Sequence, residues 1–160
     1  MAKAIGADKV GMRISPYGVN GGMAAYPEID ETYLALAAGL QEIGLVYIHL
    51  ADHEAMGAPA VPAALKEGLR KAWAGALLFG GSLNKDTAEQ GISQGKYDLA
   101  GFGRAFLANP DLVRRFTEDK ALTQPDAATF FTPGNKGYTD YPALPEPEAV
   151  APEVAAAVPA

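Results

Sequence analysis

The chain lacks cysteine, has few basic residues and contains no long apolar run. The absence of cysteine from its 160 residues excludes a disulfide scaffold, a thiolate zinc site, an iron–sulfur cluster and a cysteine nucleophile. No stretch approaches the ~18 consecutive apolar residues that a membrane span requires. Because 19 acidic residues outnumber 13 basic ones, the net charge of −6 argues against general nucleic-acid binding.

The N-terminus also lacks the apolar stretch of a secretion signal, which predicts a cytoplasmic protein. With 49% apolar and 20% charged residues, a chain of this length can bury a core without disulfides. We therefore expect a folded domain over residues 1–144. Residues 145–160 contain only Pro, Glu, Ala and Val, and this composition predicts a disordered tail because it offers no large side chain to bury.

Short apolar runs alternate with helical patterns along the chain. Runs typical of strands cover residues 9–15, 45–50, 75–80 and 98–103. Asp30 is expected to cap a helix that runs to about Ile43, and helical spacing predicts further helices that begin at Pro62, near Asn84 and at Asn109. This βα alternation predicts an α/β fold on a parallel sheet. The strands are almost continuously apolar, so we expect both sheet faces to be covered. The pattern leaves open whether the sheet is doubly wound or curled into a barrel.

The ends of the third and fourth apolar runs carry residues suited to an anion. Gly80, Gly81 and Ser82 end the third run, and Gly103 and Arg104 end the fourth. Glycines at the carboxyl ends of neighbouring parallel strands let backbone N–H groups approach a ligand, and arginine adds a bidentate contact to phosphate. The alternative is a pair of tight turns beside a surface arginine. Two such motifs in neighbouring units favour a phosphate site, which α/β barrels frequently have there.

Three further polar residues lie in or near the apolar runs. Arg13 lies within the first run, where an unpaired cation would be costly, so it needs an anion or several acceptors. A carboxylate such as Asp8 or Asp30 is the alternative to a ligand. His49 and His53 follow each other across a strand end and a loop, and this spacing does not predict a metal site. Motifs for a nucleophilic triad, a dinucleotide fingerprint or a Walker loop are absent.

Five segments spread over most of the chain form a recognisable set. They are residues 11–18 (GMRISPYG), 26–28 (YPE), 80–81 (GG), 102–112 (FGRAFLANPDL) and 137–142 (GYTDYP). Their order and spacing resemble the Old Yellow Enzyme family of flavin-dependent ene-reductases, from about residue 4 to residue 144. The resemblance implies an eight-stranded βα barrel with FMN at the carboxyl ends of its strands. Because a whole barrel needs about 250 residues, it implies that this chain is the second half, strands five to eight.

The resemblance also implies roles for individual residues. Arg13 matches the arginine at the pyrimidine edge of the flavin, where its charge would stabilise the reduced ring. Phe131 matches an aromatic residue beside the dimethylbenzene ring, although the tyrosine hydroxyl expected there is missing. The residues expected at the FMN phosphate are the matching glycines and arginine together with the adjoining serine: Gly80, Gly81, Ser82, Gly103 and Arg104.

The implied activity is the NAD(P)H-dependent reduction of activated C=C bonds, with hydride passing from nicotinamide to flavin and then to the alkene. The family's substrate-binding pair, its proton-donating tyrosine and its flavin-tuning residue belong to the first barrel half, so we assign no catalytic residue to this chain. We expect an FMN oxidoreductase component that needs a first-half partner chain. The alternative is a truncated or engineered, non-catalytic half-barrel that self-associates, because four parallel strands leave open edges.

Overall fold

The computed structural model describes residues 1–19 and 23–146, and the chain divides into two units, Met1–Gly103 and Arg104–Ala160. The first unit contains four parallel strands that pair in chain order. They are β1 (Gly11–Ile14), β2 (Tyr47–Ala51), β3 (Ala76–Gly80) and β4 (Leu99–Gly101). Its helices are α1 (Ala2–Ile5), α2 (Ile29–Ile43), α3 (Ala63–Ala72) and α4 (Lys85–Ser93). The predicted α/β fold with a parallel sheet is therefore confirmed.

Two of the predicted helix starts are confirmed by the structure. Pro62 occupies the N-cap position of α3. Asn84 caps α4 reciprocally with Thr87: the Thr87 N–H donates to Asn84 Oδ1 at 2.9 Å, and the Asn84 N–H donates to Thr87 Oγ1 at 3.0 Å. These bonds satisfy N–H groups that a helix start otherwise leaves without partners.

The predicted capping of α2 by Asp30 is wrong. The helix begins at Ile29, and Asp30 lies inside its first turn without capping it. Its carboxylate instead accepts a hydrogen bond of 2.7 Å from the Tyr17 hydroxyl. This bond raises the pKa of Tyr17, because the neighbouring carboxylate disfavours the phenolate. A long-range partner thus replaced the local cap that the sequence predicted.

One face of the sheet is buried under the helices. Five residues of this face are no more than 8% exposed: Ile14, Ile48, Leu50, Leu77 and Phe79. They pack in one cluster with Ala37 and Leu40 of α2 and with Leu65 and Leu69 of α3. Tyr97 stacks on Phe79 with 5.4 Å between ring centroids, and its hydroxyl donates to Thr87 O of α4 at 3.0 Å. Helices α2, α3 and α4 therefore lie on the same side of the sheet.

The opposite face carries alternate residues of the same strands and is open. Tyr47 of β2 is 42% exposed and Leu99 of β4 is 52% exposed. The expectation that both faces are covered is therefore wrong for the described residues, because each βα connection places its helix on the same side. A helix layer on one side is the arrangement of a barrel segment, whereas a doubly wound sheet has helices on both faces.

The described part of the second unit is organised by α5 (Arg104–Ala108), α6 (Leu112–Thr117) and the 3₁₀ turn Ala127–Thr129. The helix expected over 109–116 begins only at Leu112, and a short helix that was not expected, α5, precedes the buried Asn109. The Asn109 amide donates to Ala105 O at 2.9 Å and to Thr123 O at 3.0 Å, and it accepts from the Thr123 N–H at 2.8 Å. Asn109 therefore closes the loop that follows α6.

A buried ion pair fixes the C-terminal segment of the same unit. Arg115 Nε lies 2.8 Å from Asp111 Oδ1, and its guanidinium also donates to Ala121 O and Pro142 O. Asp111 accepts the Leu144 N–H at 2.8 Å. The bond from Arg115, with that from Leu144, lowers the pKa of Asp111. Most of the predicted disordered tail, residues 147–160, lies outside the described residues. Among the described helices, none combines the length and apolarity needed to cross a bilayer.

Candidate functional site

Arg13 and His49 lie side by side on the open face of the sheet. They are register partners across β1 and β2. Arg13 is exposed, so the expectation of a buried cation is wrong here, because this face is uncovered. Neither Asp8 nor Asp30 forms an ion pair with it, and no other carboxylate within residues 1–19 and 23–146 does. The open face therefore presents a cation without an acidic partner in that part of the chain.

The imidazole of His49 lies directly over Gly80. A Cβ added at Gly80 would lie 2.7 Å from His49 Nε2, so the side chain of His49 fills the space that any larger residue at 80 would need. Burial lowers the pKa of His49, and the charge of Arg13 lowers it further. The geometry thus places a neutral imidazole beside an arginine at the ends of the first three strands.

Gly81 and Ser82 form the tight turn between β3 and α4. A Cβ at Gly81 would lie 2.9 Å from Asp52 Cβ, so this glycine is required by packing against the end of β2. The Asp52 N–H donates to Gly80 O at 2.7 Å, and the Leu83 N–H donates to Gly81 O at the same distance. Ser82 is exposed and stands two residues before the N-cap of α4. The turn is therefore held from both sides and leaves Ser82 open to solvent.

Gly103 differs from the two glycines of the β3 turn. It is exposed, and a Cβ added there would meet no described atom within 4 Å. Packing within the described residues thus gives no reason for a glycine at this position, whereas a ligand that approaches the backbone would give one. Arg104 follows directly, is exposed and begins α5. Gly103 ends the first unit and Arg104 begins the second.

Phe131 presents its ring to solvent in the second unit. The residue is 94% exposed and has a φ of 59°, a left-handed conformation that bulky residues seldom adopt. Its N–H donates to the Tyr138 hydroxyl at 2.7 Å. Because left-handed backbone in a non-glycine residue costs free energy, the surrounding contacts must hold it. The outcome is an aromatic side chain turned outward on an ordered turn.

Asp52 is a site-supporting residue that the sequence did not reveal. Its side chain is only 4% exposed and pairs with Lys66 of α3 at 3.0 Å. It also accepts the N–H groups of Glu54 at 3.1 Å and Val61 at 3.3 Å. One carboxylate therefore holds both ends of the loop between β2 and α3. The sequence gives little indication of this role, because Asp52 next to His53 resembles an ordinary loop residue. Only the folded structure brings Lys66 beside it.

The two histidines make separate contacts. His53 Nε2 lies 3.1 Å from Ser15 Oγ and so links the loop after β2 to the end of β1. His49 instead lies over Gly80. Among the described residues there is no cluster of three or more His, Asp or Glu side chains that could hold a metal ion. The pair is therefore best understood through these contacts.

The sequence profile of the NADH:flavin oxidoreductase / NADH oxidase family matches residues 1–123. The chain belongs to this family. It is 37% identical over 146 residues to a 12-oxophytodienoate reductase-like protein of Solanum lycopersicum, covering 90% of this chain and 38% of that protein. It is 35% identical over 143 residues to a probable flavin mononucleotide-dependent alkene reductase of Leishmania infantum, covering 88% of this chain and 37% of that protein.

Solved structures of the family agree with the fold. A morphinone reductase mutant in complex with tetrahydroNAD gives a TM-score of 0.82 at 32% identity, covering 92% of this chain and 39% of that one. The old yellow enzyme of Trypanosoma cruzi gives 0.78 at 31% identity, covering 89% and 37%. The resemblance to Old Yellow Enzyme is thus confirmed. The chain spans about two-fifths of the length of these relatives, as expected for half of a βα barrel.

Proposed function

We propose that this chain supplies the FMN-binding half of an NAD(P)H-dependent oxidoreductase that reduces activated C=C bonds. The observation that carries the proposal is Arg13, an exposed cation on the open face of the sheet with no acidic partner among the described residues. A cation in that position suits an electron-rich ring or an anion laid across the face. The family profile and the named flavin-dependent alkene reductase support the same cofactor.

The residues of this chain suit FMN in their chemistry. Arg13 would hold the pyrimidine edge of the ring, and Phe131 would lie beside its dimethylbenzene side. Gly103 offers open space beside its α-carbon, where a ligand could approach the backbone. The proposed phosphate contacts are those of the turn after β3 and of the residues after β4: Gly80, Gly81, Ser82, Gly103 and Arg104. When bound, FMN supplies the two-electron chemistry between nicotinamide and alkene, and these residues bind and orient it.

We also propose that a first-half partner chain completes the enzyme. Two observations support this: the chain covers only 38–39% of its relatives' length, and apolar side chains such as Tyr47 and Leu99 lie exposed on the open face. In a closed barrel that face would be covered by the opposite strands. Self-association is the second candidate, and the same exposed face favours it, because a second copy could cover the apolar side chains.

The test is a flavin spectrum read together with the mass in solution. The chain is purified alone and also mixed with a separately produced first-half segment of a family relative. The expected result is a yellow one-to-one complex that oxidises NADPH in the presence of 2-cyclohexen-1-one. A yellow dimer of this chain alone that does not turn over NADPH would favour the self-associated form. Colourless protein in both preparations would overturn the assignment of FMN.

A further inference from the structure

A groove lies between α3 and the segment that leads from α4 into β4, on the helix side of the sheet. Its volume is about 430 Å³, within the range of about 300–1,000 Å³ common for small-molecule sites. Four apolar or aromatic side chains form its floor: Leu50, Leu77, Phe79 and Tyr97. All the lining belongs to the first unit and to consecutive βα segments. The groove is therefore complete within this chain and lies on the opposite face from Arg13.

The groove is cationic although the chain as a whole is acidic. Its lining contains Lys66, Arg70, Lys71 and Lys96, and Glu67 is the one acidic side chain among the lining residues. The chain's net charge is −6, so this surface has the opposite sign to the whole. Local charge of this kind attracts anions even when the net charge is negative.

The four cations do not have equal roles. Lys66 pairs with Asp52 at 3.0 Å, and Arg70 pairs with Asp98 at 2.7 Å, so both are already neutralised. Lys71 on α3 and Lys96 before β4 lie on opposite walls of the groove. Neither of these two lysines forms an ion pair with a carboxylate in the described part of the chain. An anion placed between the walls would therefore have two available partners.

We propose that this groove binds a small amphipathic carboxylate, such as a medium-chain fatty acid or an aryl carboxylate. The apolar part would lie on the floor around Leu77 and Phe79, and the carboxylate would lie between Lys71 and Lys96. Contact with the floor would remove apolar surface of the ligand from water, and the two lysines at the rim would pair with its carboxylate. A purely polar anion would leave the floor unused, and a neutral apolar ligand would leave the two lysines unused.

The test titrates decanoate, below its micellar concentration, into the full chain without added FMN. Calorimetry should give saturable one-to-one binding, and amide NMR shifts should concentrate at Lys71 and at residues 94–97. Decanol, with the same chain but no charge, should bind about tenfold more weakly, as expected from two exposed ion pairs. Because no flavin is present, the result does not depend on the proposed oxidoreductase function.

Matched variants localise the binding. Ala63 and Ala64 are neighbouring exposed residues at the start of α3, and only Ala63 lines the groove. Ala63→Trp should abolish binding, whereas Ala64→Trp should not change it. The double variant Lys71→Glu/Lys96→Glu should weaken decanoate about tenfold or more, whereas Lys3→Glu/Lys120→Glu should not. The lysine variants change exposed side chains only, so they remain informative if the tryptophan variant does not fold.

Several results would overturn the proposal. One is the absence of saturable decanoate binding, and another is equal binding by wild type and by the Lys71→Glu/Lys96→Glu variant. NMR shifts centred on Tyr47 and Leu99 would place the ligand on the open face instead. A concentration-dependent increase in mass that Ala63→Trp prevents would mean that the groove holds a second copy of the chain, and it would equally overturn binding of a small carboxylate.

Discussion

The two faces of the sheet are built from alternate residues of the same four strands, yet they differ in cover and in chemistry. The helix-covered face is apolar, and Ile48 and Leu77 at its centre are 1% and 2% exposed. The open face carries Arg13, His49 and half-exposed apolar side chains. Because successive strand residues point to opposite sides, one short strand serves both purposes. The comparison indicates that the apolar core is concentrated on one face, whereas the other face presents a cation and an imidazole near the strand ends.

The largest expected difference in unfolding free energy is between two leucine truncations, one on each face of the sheet. Leu77→Ala removes a side chain that is 2% exposed, and it should lower the free energy of unfolding by about 2–5 kcal/mol because a cavity remains. Leu99→Ala on the open face should change it by about 0.5 kcal/mol or less. Urea unfolding followed by circular dichroism measures both. Similar losses in the two variants would mean that the open face is covered in the folded chain.

The next effect concerns Asp52, which joins the covered face to the loop at the strand ends. Asp52→Ala leaves Lys66 without its partner and removes the acceptor for two backbone N–H groups, so it should cost about 1–3 kcal/mol of unfolding free energy. Glu118→Ala is the control, since Glu118 forms an exposed pair with Arg114 that contributes about 0–1 kcal/mol. Equal costs for the two variants would show that Asp52 is not a structural link.

Two glycine substitutions distinguish a glycine that the fold needs for packing from one that a ligand needs to approach the backbone. Gly80→Ala requires the end of the His49 side chain to move and should destabilise the fold by about 1 kcal/mol. Gly103→Ala meets open space, so its unfolding free energy should match that of wild type while its FMN affinity falls. Parallel urea unfolding and flavin fluorescence titrations distinguish the two. Unchanged FMN affinity in Gly103→Ala would remove this backbone from the proposed phosphate site.

The smallest effect is a pH dependence from His49. Its folded-state pKa is lowered below the ordinary 6.5, so the unfolded state binds more protons between these two values. Stability should therefore be fully present above about pH 6.5 and should fall as the pH drops toward the folded-state pKa. The slope is at most about 1.4 kcal/mol per pH unit. His49→Gln should flatten this part of the profile of unfolding free energy against pH. If the slope in His49→Gln equals that of wild type, the lowered pKa of His49 does not cause the pH dependence.

The fold could largely be predicted because its signals are local. Apolar runs and turn residues located all four strands to within about two residues, and Pro62 and Asn84 marked two helix starts. The failures have a common physical cause, which is dependence on distant partners. Asp30 does not cap α2 because Tyr17 takes its carboxylate. Whether a face of the sheet is buried depends on the side on which the helices pack, and the composition of the strands does not determine that side.

The sequence named the residues of the candidate site but not their contacts, and their part in FMN binding stays a prediction. The glycines after β3 and β4 could be found from their spacing, whereas their different environments could not. His49 and Asp52 fill the space beside Gly80 and Gly81, and this packing depends on the register of β2 against β3. Gly103 has no such neighbour in the described chain. The role of Arg13 came from family resemblance, because a sequence does not tell whether a charged strand residue lies on an open or a closed face.

The central claim is that the open face binds FMN through Arg13. The most direct measurement is an FMN fluorescence titration of the chain, alone and paired with a first-half segment, for wild type, Arg13→Ala and the control Arg114→Ala. We predict saturable quenching by wild type and by the control, with affinity at least about tenfold lower in Arg13→Ala, as expected for loss of a charge-assisted contact. Equal affinity in all three proteins, or no quenching by wild type in either form, would contradict the account.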